Sequence, residues 1–157
     1  MGTVVVGVDG SDGGQRALGV ALGEAKLRSA RLRVVTAWHM SAMAYGTGGM
    51  VPDVDPALFE EGASAALDAA LAALSERATG IELERVLRMG QPAKILVEEA
   101  SGADLLVVGS RGHGGFAGLL LGSVSHQCAM HASCPVLIVH KPDRTDNGVV
   151  GRAAAEV

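Results

Sequence analysis

The sequence predicts an open, doubly wound α/β fold: three layers, with five parallel strands between helices on both faces. Three apolar runs, Val4-Val5-Val6 with Val8, Leu105 to Val108, and Val136 to Val139, are rich in β-branched residues and almost unbroken. Strands buried on both faces of a parallel sheet have this composition. Helical periodicities alternate with the strand candidates, and right-handed crossovers then make the strands parallel. Glycine-rich or polar turns follow the strands at the end where ligands sit in such sheets.

Taken in order, Val4 to Val8 gives the first strand and Gly13 to Arg28 the first helix. Leu32 to Trp38 reads as a second strand. The next helix, Pro56 to Thr79, is the strongest: Ala63, Leu67, Ala70, Leu71 and Leu74 recur at helical spacing, with Asp55 to cap and Pro56 at the first position. Glu60 and Glu61 favour its N-terminal dipole. Gly80 is expected to stop it, as Gly102 stops the third helix, Pro92 to Ala100. Ile81 to Leu87 interleaves Leu83 and Val86 with Glu82, Glu84 and Arg85, which suits an edge strand. A short helix, Ser123 to Ala132, precedes the last strand.

Length and composition bound the function. The 157 residues fit one domain, and 48% apolar with 19% charged residues describes an ordered globular chain. The net charge is −4 and the 13 Lys and Arg are scattered, so no nucleic-acid groove is indicated. Aromatics are confined to Trp38, Tyr45, Phe59 and Phe116, too few for a base-stacking platform. No apolar stretch is long enough to span a membrane, and the N-terminus lacks a basic start or cleavage site. A cytoplasmic location is the expectation, with Cys128 and Cys134 as free thiols.

The feature that carries most chemistry is Gly109-Ser110-Arg111-Gly112, nine further residues, then Gly122-Ser123, directly after the fourth strand. Glycines let backbone amides approach an anion, and a helix opening at Gly122-Ser123 adds unpaired amides and a positive dipole end. Asp9-Gly10-Ser11 follows the first strand and Ala37-Trp38-His39 the second, so the three turns should meet in one crevice. Within the loop, Arg111 and His113 could pair with phosphate oxygens or point into solvent. Ser123 could face a phosphate, act as an N-cap, or do both. Asp9 could be a ligand contact or an ordinary turn residue.

Other readings are weaker. Gly112 to Ala117 gives a partial dinucleotide fingerprint, but it lies too near the end of the chain for the βαβ unit that fingerprint needs. No Walker loop is present. His126, Cys128, His131 and Cys134 crowd into nine residues, yet helical spacing turns His126 away from Cys128, which argues against one tetrahedral metal site. Asp9 and Asp12 could hold a divalent ion or simply cap a helix. No nucleophile elbow exists. The connection from His39 to Asp55, 17 residues long, exceeds the usual ceiling of about 12–15 for a structureless loop. A cover over the ligand and a plain surface excursion both remain open. The tail, residues 142–157, has no periodicity and is expected to fray beyond a domain of residues 1–141.

These segments together resemble the universal stress protein family. Gly109, Gly112, Gly122 and Ser123 match the Gly-x2-Gly-x9-Gly-Ser/Thr pattern of its nucleotide-binding members. The opening Val4 to Ser11, the turn Gly90-Gln91-Pro92, and the closing Cys134 to Val139 are also typical. The resemblance covers about residues 3–140. It implies the strand order 3-2-1-4-5 of a Rossmann-like sheet of the adenine nucleotide alpha hydrolase type. It also implies that Asp9 lies beside the adenosine of ATP, Ala37 lines the adenine pocket, and Gly109, Gly112, Gly122, Ser123 and the Val124 amide hold ribose and phosphates. The resemblance further implies a homodimer joined through the last strand, Val136 to Val139, whose apolar edge would otherwise stay open. The expected function is an ATP-dependent stress-response binding module with slow or no hydrolysis. A weak ATPase or nucleotidyl enzyme using Mg²⁺ or Mn²⁺ at Asp9 is the alternative.

Overall fold

A computed structural model describes residues 1–39, 55–112 and 121–141. The middle of the connection after His39, read as either a cover or a surface excursion, lies outside the described residues, as do His113, the partial fingerprint beyond Gly112, and the tail 142–157. The order of elements is β1 (Thr3–Gly7), α1 (Asp12–Arg28), β2 (Arg31–Trp38), α2 (Pro56–Leu74), β3 (Leu83–Met89), α3 (Pro92–Glu99), β4 (Leu105–Gly109), α4 (Ser123–His131) and β5 (Val136–Val139). All strand pairs are parallel, as the sequence pattern predicts, and the sheet order is β3-β2-β1-β4-β5, as the family resemblance implies.

The period-2 alternation of the strands divides the core into two layers. Val4, Val6, Leu32, Val34, Leu105 and Val107 pack against α1 and α2. Val5, Val35, Leu106 and Val108 pack against α3 and α4 on the other face, together with Cys128. Val4, Val5 and Val6 are each fully buried, and each such side chain contributes roughly 1.5–3 kcal/mol of transfer free energy.

The helices begin where their caps dictate. Ser11 caps α1 by accepting from the Gly14 amide at 3.1 Å, and Asp55 caps α2 by accepting from Ala57 N at 2.9 Å. Two elements differ from expectation by two residues or more, α2 and β3, and β3 ends at Met89 rather than Leu87. α2 ends at Leu74 rather than Thr79, because Ser75 N and Arg77 N turn back to Ala72 O and Leu74 O. Ile81 N then donates to Ala78 O, so Gly80, with φ +80°, belongs to a turn and does not end the helix, and β3 starts two residues later than its pattern suggests.

The two edges of the sheet are finished differently. At β3 the face toward α3 is closed by ion pairs: Arg33 with Glu84 at 2.9 Å and Glu99 at 3.4 Å, and Arg88 with Glu98 and Glu99 at 2.9 Å each. β5 carries only Val136, Leu137, Ile138 and Val139, all half-buried. No helix among the described residues is long and apolar enough to cross a membrane.

Candidate functional site

The carboxyl ends of β1, β2 and β4 open into one cavity of about 190 Å³, lined by Asp9, Ala37, Gly109, Arg111 and Gly112 and bounded by the start of α4 at Gly122, Ser123 and Val124. Eight of the ten residues singled out from the sequence therefore share one wall or another of it. Gly10 and Ser11 do not line it. Gly10, with φ +80°, turns the chain behind Asp9, and Ser11 holds Asp9 in place.

That hold is specific. Asp9 Oδ1 accepts from Ser11 N at 3.0 Å and from Ser11 Oγ at 2.5 Å, while the same hydroxyl accepts from Gly14 N. The helix cap and the carboxylate are thus one hydrogen-bonded unit, and Oδ2 is left without a partner among the described residues. A Cβ on Gly112 would lie 2.5 Å from Asp9 Oδ2, and one on Gly14 would lie 2.9 Å from Oδ1. The carboxylate is seated between two bare backbones. A Cβ on Gly13 would strike the Arg111 carbonyl, and one on Gly109 would lie 2.8 Å from the Gly13 carbonyl carbon. Backbone-to-backbone packing of this kind brings the first turn of α1 against the exit of β4.

The two ends of the glycine loop are pinned together. Ser110 N donates to Val139 O at 2.9 Å, and Gly122 N donates to Ser110 O at 2.7 Å. Ser125, buried, has its hydroxyl 3.1 Å from Ser110 O and 3.0 Å from Gly122 O. Gly122, not Ser123, is the N-cap of α4, and it makes no side-chain cap bond. Ser123 is the first helical residue and lines the cavity, and His126 N is the first helical amide to bond back, to Gly122 O, so the amides of Ser123, Val124 and Ser125 precede the first helical bond. Unpaired amides at the positive end of a helix favour an anion.

Part of the lining is apolar: Val35, Leu96 and Val108 belong to one packed cluster with Ala37 against it, and Pro92 lines the cavity as well. Among the described lining residues Arg111 is the cation and Asp9 the anion. Such a lining offers a ligand an apolar surface, a carboxylate, a guanidinium and the start of a helix. Sequence reasoning missed Pro92, Leu96, Gly13, Gly14 and Ser125. Two glycines in the first turn of a helix are the signal that could have found part of this group, because glycine there lowers helix propensity without a local reason.

Ala37, which the structure places inside β2 and not in the turn after it, lines the cavity, whereas Trp38 and His39 do not. Cys128 lies in the core, where burial pushes its thiol up to about 11. It stays protonated at neutral pH and packs as a small apolar side chain. Burial raises the Cys134 thiol as well.

Comparison with known proteins agrees with this architecture. The family model described as the universal stress protein family matches residues 1–140. A universal stress protein of Mycobacterium tuberculosis is 36% identical over 138 residues, 88% of this chain and 45% of the relative, so the chain spans less than half of that relative's length. A solved universal stress protein in complex with cAMP is 34% identical, with a TM-score of 0.67 over 88% of this chain and 97% of its own. Another, from Archaeoglobus fulgidus in complex with dAMP, is 26% identical, with a TM-score of 0.61 over 88% of this chain and 97% of its own. Since the match takes in every strand and helix of the sheet, this chain belongs to the universal stress protein family.

Proposed function

We propose that this chain binds an adenine nucleotide, with ATP as its working ligand, and acts as a nucleotide-dependent binding module in a stress response. The observation that carries the reading is the mixed lining of one cavity: the apolar cluster of Val35, Leu96 and Val108 with Ala37 beside it, the Asp9 carboxylate next to Gly112, and the start of α4 at Ser123 and Val124. Adenine, ribose and phosphate call for these three kinds of surface. The volume, about 190 Å³, is below the roughly 300–1,000 Å³ of sites that enclose a whole drug-sized ligand, so base and ribose are enclosed and the outer phosphates extend from it. Solved relatives in complex with cAMP and dAMP support an adenine nucleotide as the class. In this reading Gly109, Gly112 and Gly122 admit the phosphate chain, Arg111 pairs with its oxygens, and Gly10 and Ser11 act through Asp9.

Binding is favoured over turnover. Among the described lining residues the polar side chains are those of Asp9, Arg111, Ser123 and Ser125, and the Asp9 carboxylate is engaged by Ser11 N and Oγ. For the enzyme alternative, a Mg²⁺ or Mn²⁺ ion would have Asp9 Oδ2 as its protein ligand, because Oδ1 is engaged by Ser11 and Asp12 does not line the cavity. Residues 1–141 form the working domain and pair with a second copy through β5, an outer strand of apolar residues with no further strand beside it among the described residues. A cytoplasmic setting accords with two free thiols.

Titration calorimetry with ATP, AMP and GTP, together with single-turnover hydrolysis of labelled ATP, tests the reading. ATP and AMP should bind while GTP binds at least roughly tenfold more weakly, and product should form on a timescale of hours or not at all. Absence of adenine-nucleotide binding at millimolar concentration would sink the proposal. Sedimentation at micromolar concentration checks the dimer, and a monomer would refute it.

A further inference from the structure

Gly7 closes β1 and lines the cavity, yet its backbone has no need of glycine, since it is not among the residues with positive φ. Glycine in a strand often marks the close approach of another group. That group is Leu96 of α3: a Cβ on Gly7 would lie 2.8 Å from Leu96 Cδ1 and 3.0 Å from Cδ2. Leu96 is 5% exposed, packed in the core cluster that includes Val5, Val35 and Val108, and it also lines the apolar part of the cavity. Its branched tip therefore has close-packed neighbours behind it and ligand space in front.

We propose that the contact between Gly7 and Leu96 sets how large a ring the apolar part admits, which makes Leu96 a specificity-determining side chain for the nucleotide base. This rests on the adenine-nucleotide reading and adds to it the means of selection. The walls beside Leu96, made by Val35, Ala37 and Pro92, carry no charged group, so shape rather than ionic contact sorts the base there. A pocket of that kind discriminates by roughly 10–200-fold per methylene. The tip of a leucine can rotate, whereas the core behind it is packed and does not yield. A methyl group added at position 7 therefore drives Leu96 into the cavity and shrinks it. Truncating Leu96 enlarges it.

The test compares the unaltered chain with Gly7→Ala, Leu96→Ala and the double variant, titrated with AMP and with AMP analogues carrying a benzyl group at C2, N6 or C8. Gly7→Ala should weaken AMP roughly tenfold or more, and Leu96→Ala should bind at least one benzyl analogue roughly tenfold better than the unaltered chain does. In the double variant the new methyl fills part of the space that Leu96 vacates, and AMP affinity should return to within about threefold of the original. Thermal melting confirms that each variant is folded, and the Leu96→Ala arm decides the matter if Gly7→Ala does not fold. If the unaltered chain binds AMP and the variants keep its ring-size profile, the size filter is wrong and the nucleotide reading stands. If the unaltered chain binds no adenine nucleotide, both fall.

Discussion

Helix α1 contains four glycines, and its two halves use them in opposite ways. Gly13 and Gly14, in the first turn, are buried, and a side chain at either would meet the Arg111 carbonyl or the Asp9 carboxylate. Gly19 and Gly23, further along, have nothing within 4 Å of where a Cβ would stand. Each glycine lowers helix stability by about 0.8–1.0 kcal/mol relative to alanine. In the first turn this cost is offset by the close approach that seats Asp9 between α1 and the glycine loop. Among the described residues nothing offsets it at 19 and 23. A glycine's neighbours, and not its presence, mark the site.

The largest expected effect comes from the contact between the first turn and β4. At Gly109 an added Cβ would lie 2.8, 2.9 and 3.2 Å from backbone atoms of Gly13, which no side-chain rotation can relieve. Gly109→Ala should destabilise the fold by about 1–3 kcal/mol, the usual range for overpacking, and should weaken nucleotide binding by at least about tenfold, because 1.4 kcal/mol lost at the site is that factor. Chemical denaturation and calorimetry read the two effects. A variant with unchanged stability would show that the backbones are not in contact, and the comparison between the two halves of the helix would fail.

Gly112→Ala should separate affinity from stability. The atom its Cβ would meet is Asp9 Oδ2, on an exposed side chain that can swing away. Stability should change by less than about 1 kcal/mol, within the scatter of surface substitutions. Swinging Asp9 away exchanges its exposed bonds to Ser11 for water and takes the carboxylate from the ligand; a hydrogen bond to a charged group is worth about 1.5–3 kcal/mol, so ATP affinity should fall roughly tenfold or more. Asp9→Ala combined with Gly112→Ala should cost little beyond Asp9→Ala alone. Full additivity in that double-mutant cycle would disprove the seat.

The same contrast separates what is legible in the sequence from what is not. The strands β1 and β4 are legible because residues buried on both faces leave unbroken apolar runs, β5 because its run is unbroken although half-buried, and the glycine spacing from Gly109 to Gly122 locates the loop because backbone approach demands particular residues at particular intervals. The hydrophobic pattern places β3 two residues early because Ile81 is apolar yet belongs to a turn closed on Ala78 O, and hydrophobicity carries no trace of that hydrogen bond. Leu96 and Pro92 escape detection, since an aliphatic side chain lining a cavity looks the same in sequence as one lining a core. Ser125 escapes for a related reason: a buried hydroxyl that ties two loop ends together has no spacing rule of its own.

Ser125 offers an intermediate effect. Its hydroxyl reaches the Ser110 and Gly122 carbonyls, but Ser110 O keeps the Gly122 amide when the hydroxyl is removed. Ser125→Ala should therefore cost about 1 kcal/mol of stability, the net value of one hydrogen bond, with a loss of ATP affinity no larger than a few-fold. Ser125→Thr, which retains the hydroxyl, should recover the affinity even where the added methyl perturbs packing. An affinity loss as large as that of Gly109→Ala would mean that the loop depends on this hydroxyl more than on the glycine contacts.

The smallest change runs in the opposite direction. At Gly19 and Gly23 an alanine methyl enters open space, and replacing glycine reduces the entropy that the unfolded chain loses on folding. Gly19→Ala and Gly23→Ala should each stabilise the protein by about 0.5–1 kcal/mol, leaving nucleotide affinity unchanged. Both positions face away from the sheet on a helix whose buried side is formed by Ala17, Leu18, Ala21, Leu22 and Ala25, so no rearrangement of the core accompanies the gain. Melting curves of the two single variants and the pair decide it. Destabilisation at either position would show that some other part of the molecule or a second copy packs against this face, and the outer half of α1 would then have to be read, like the first turn, as a contact surface.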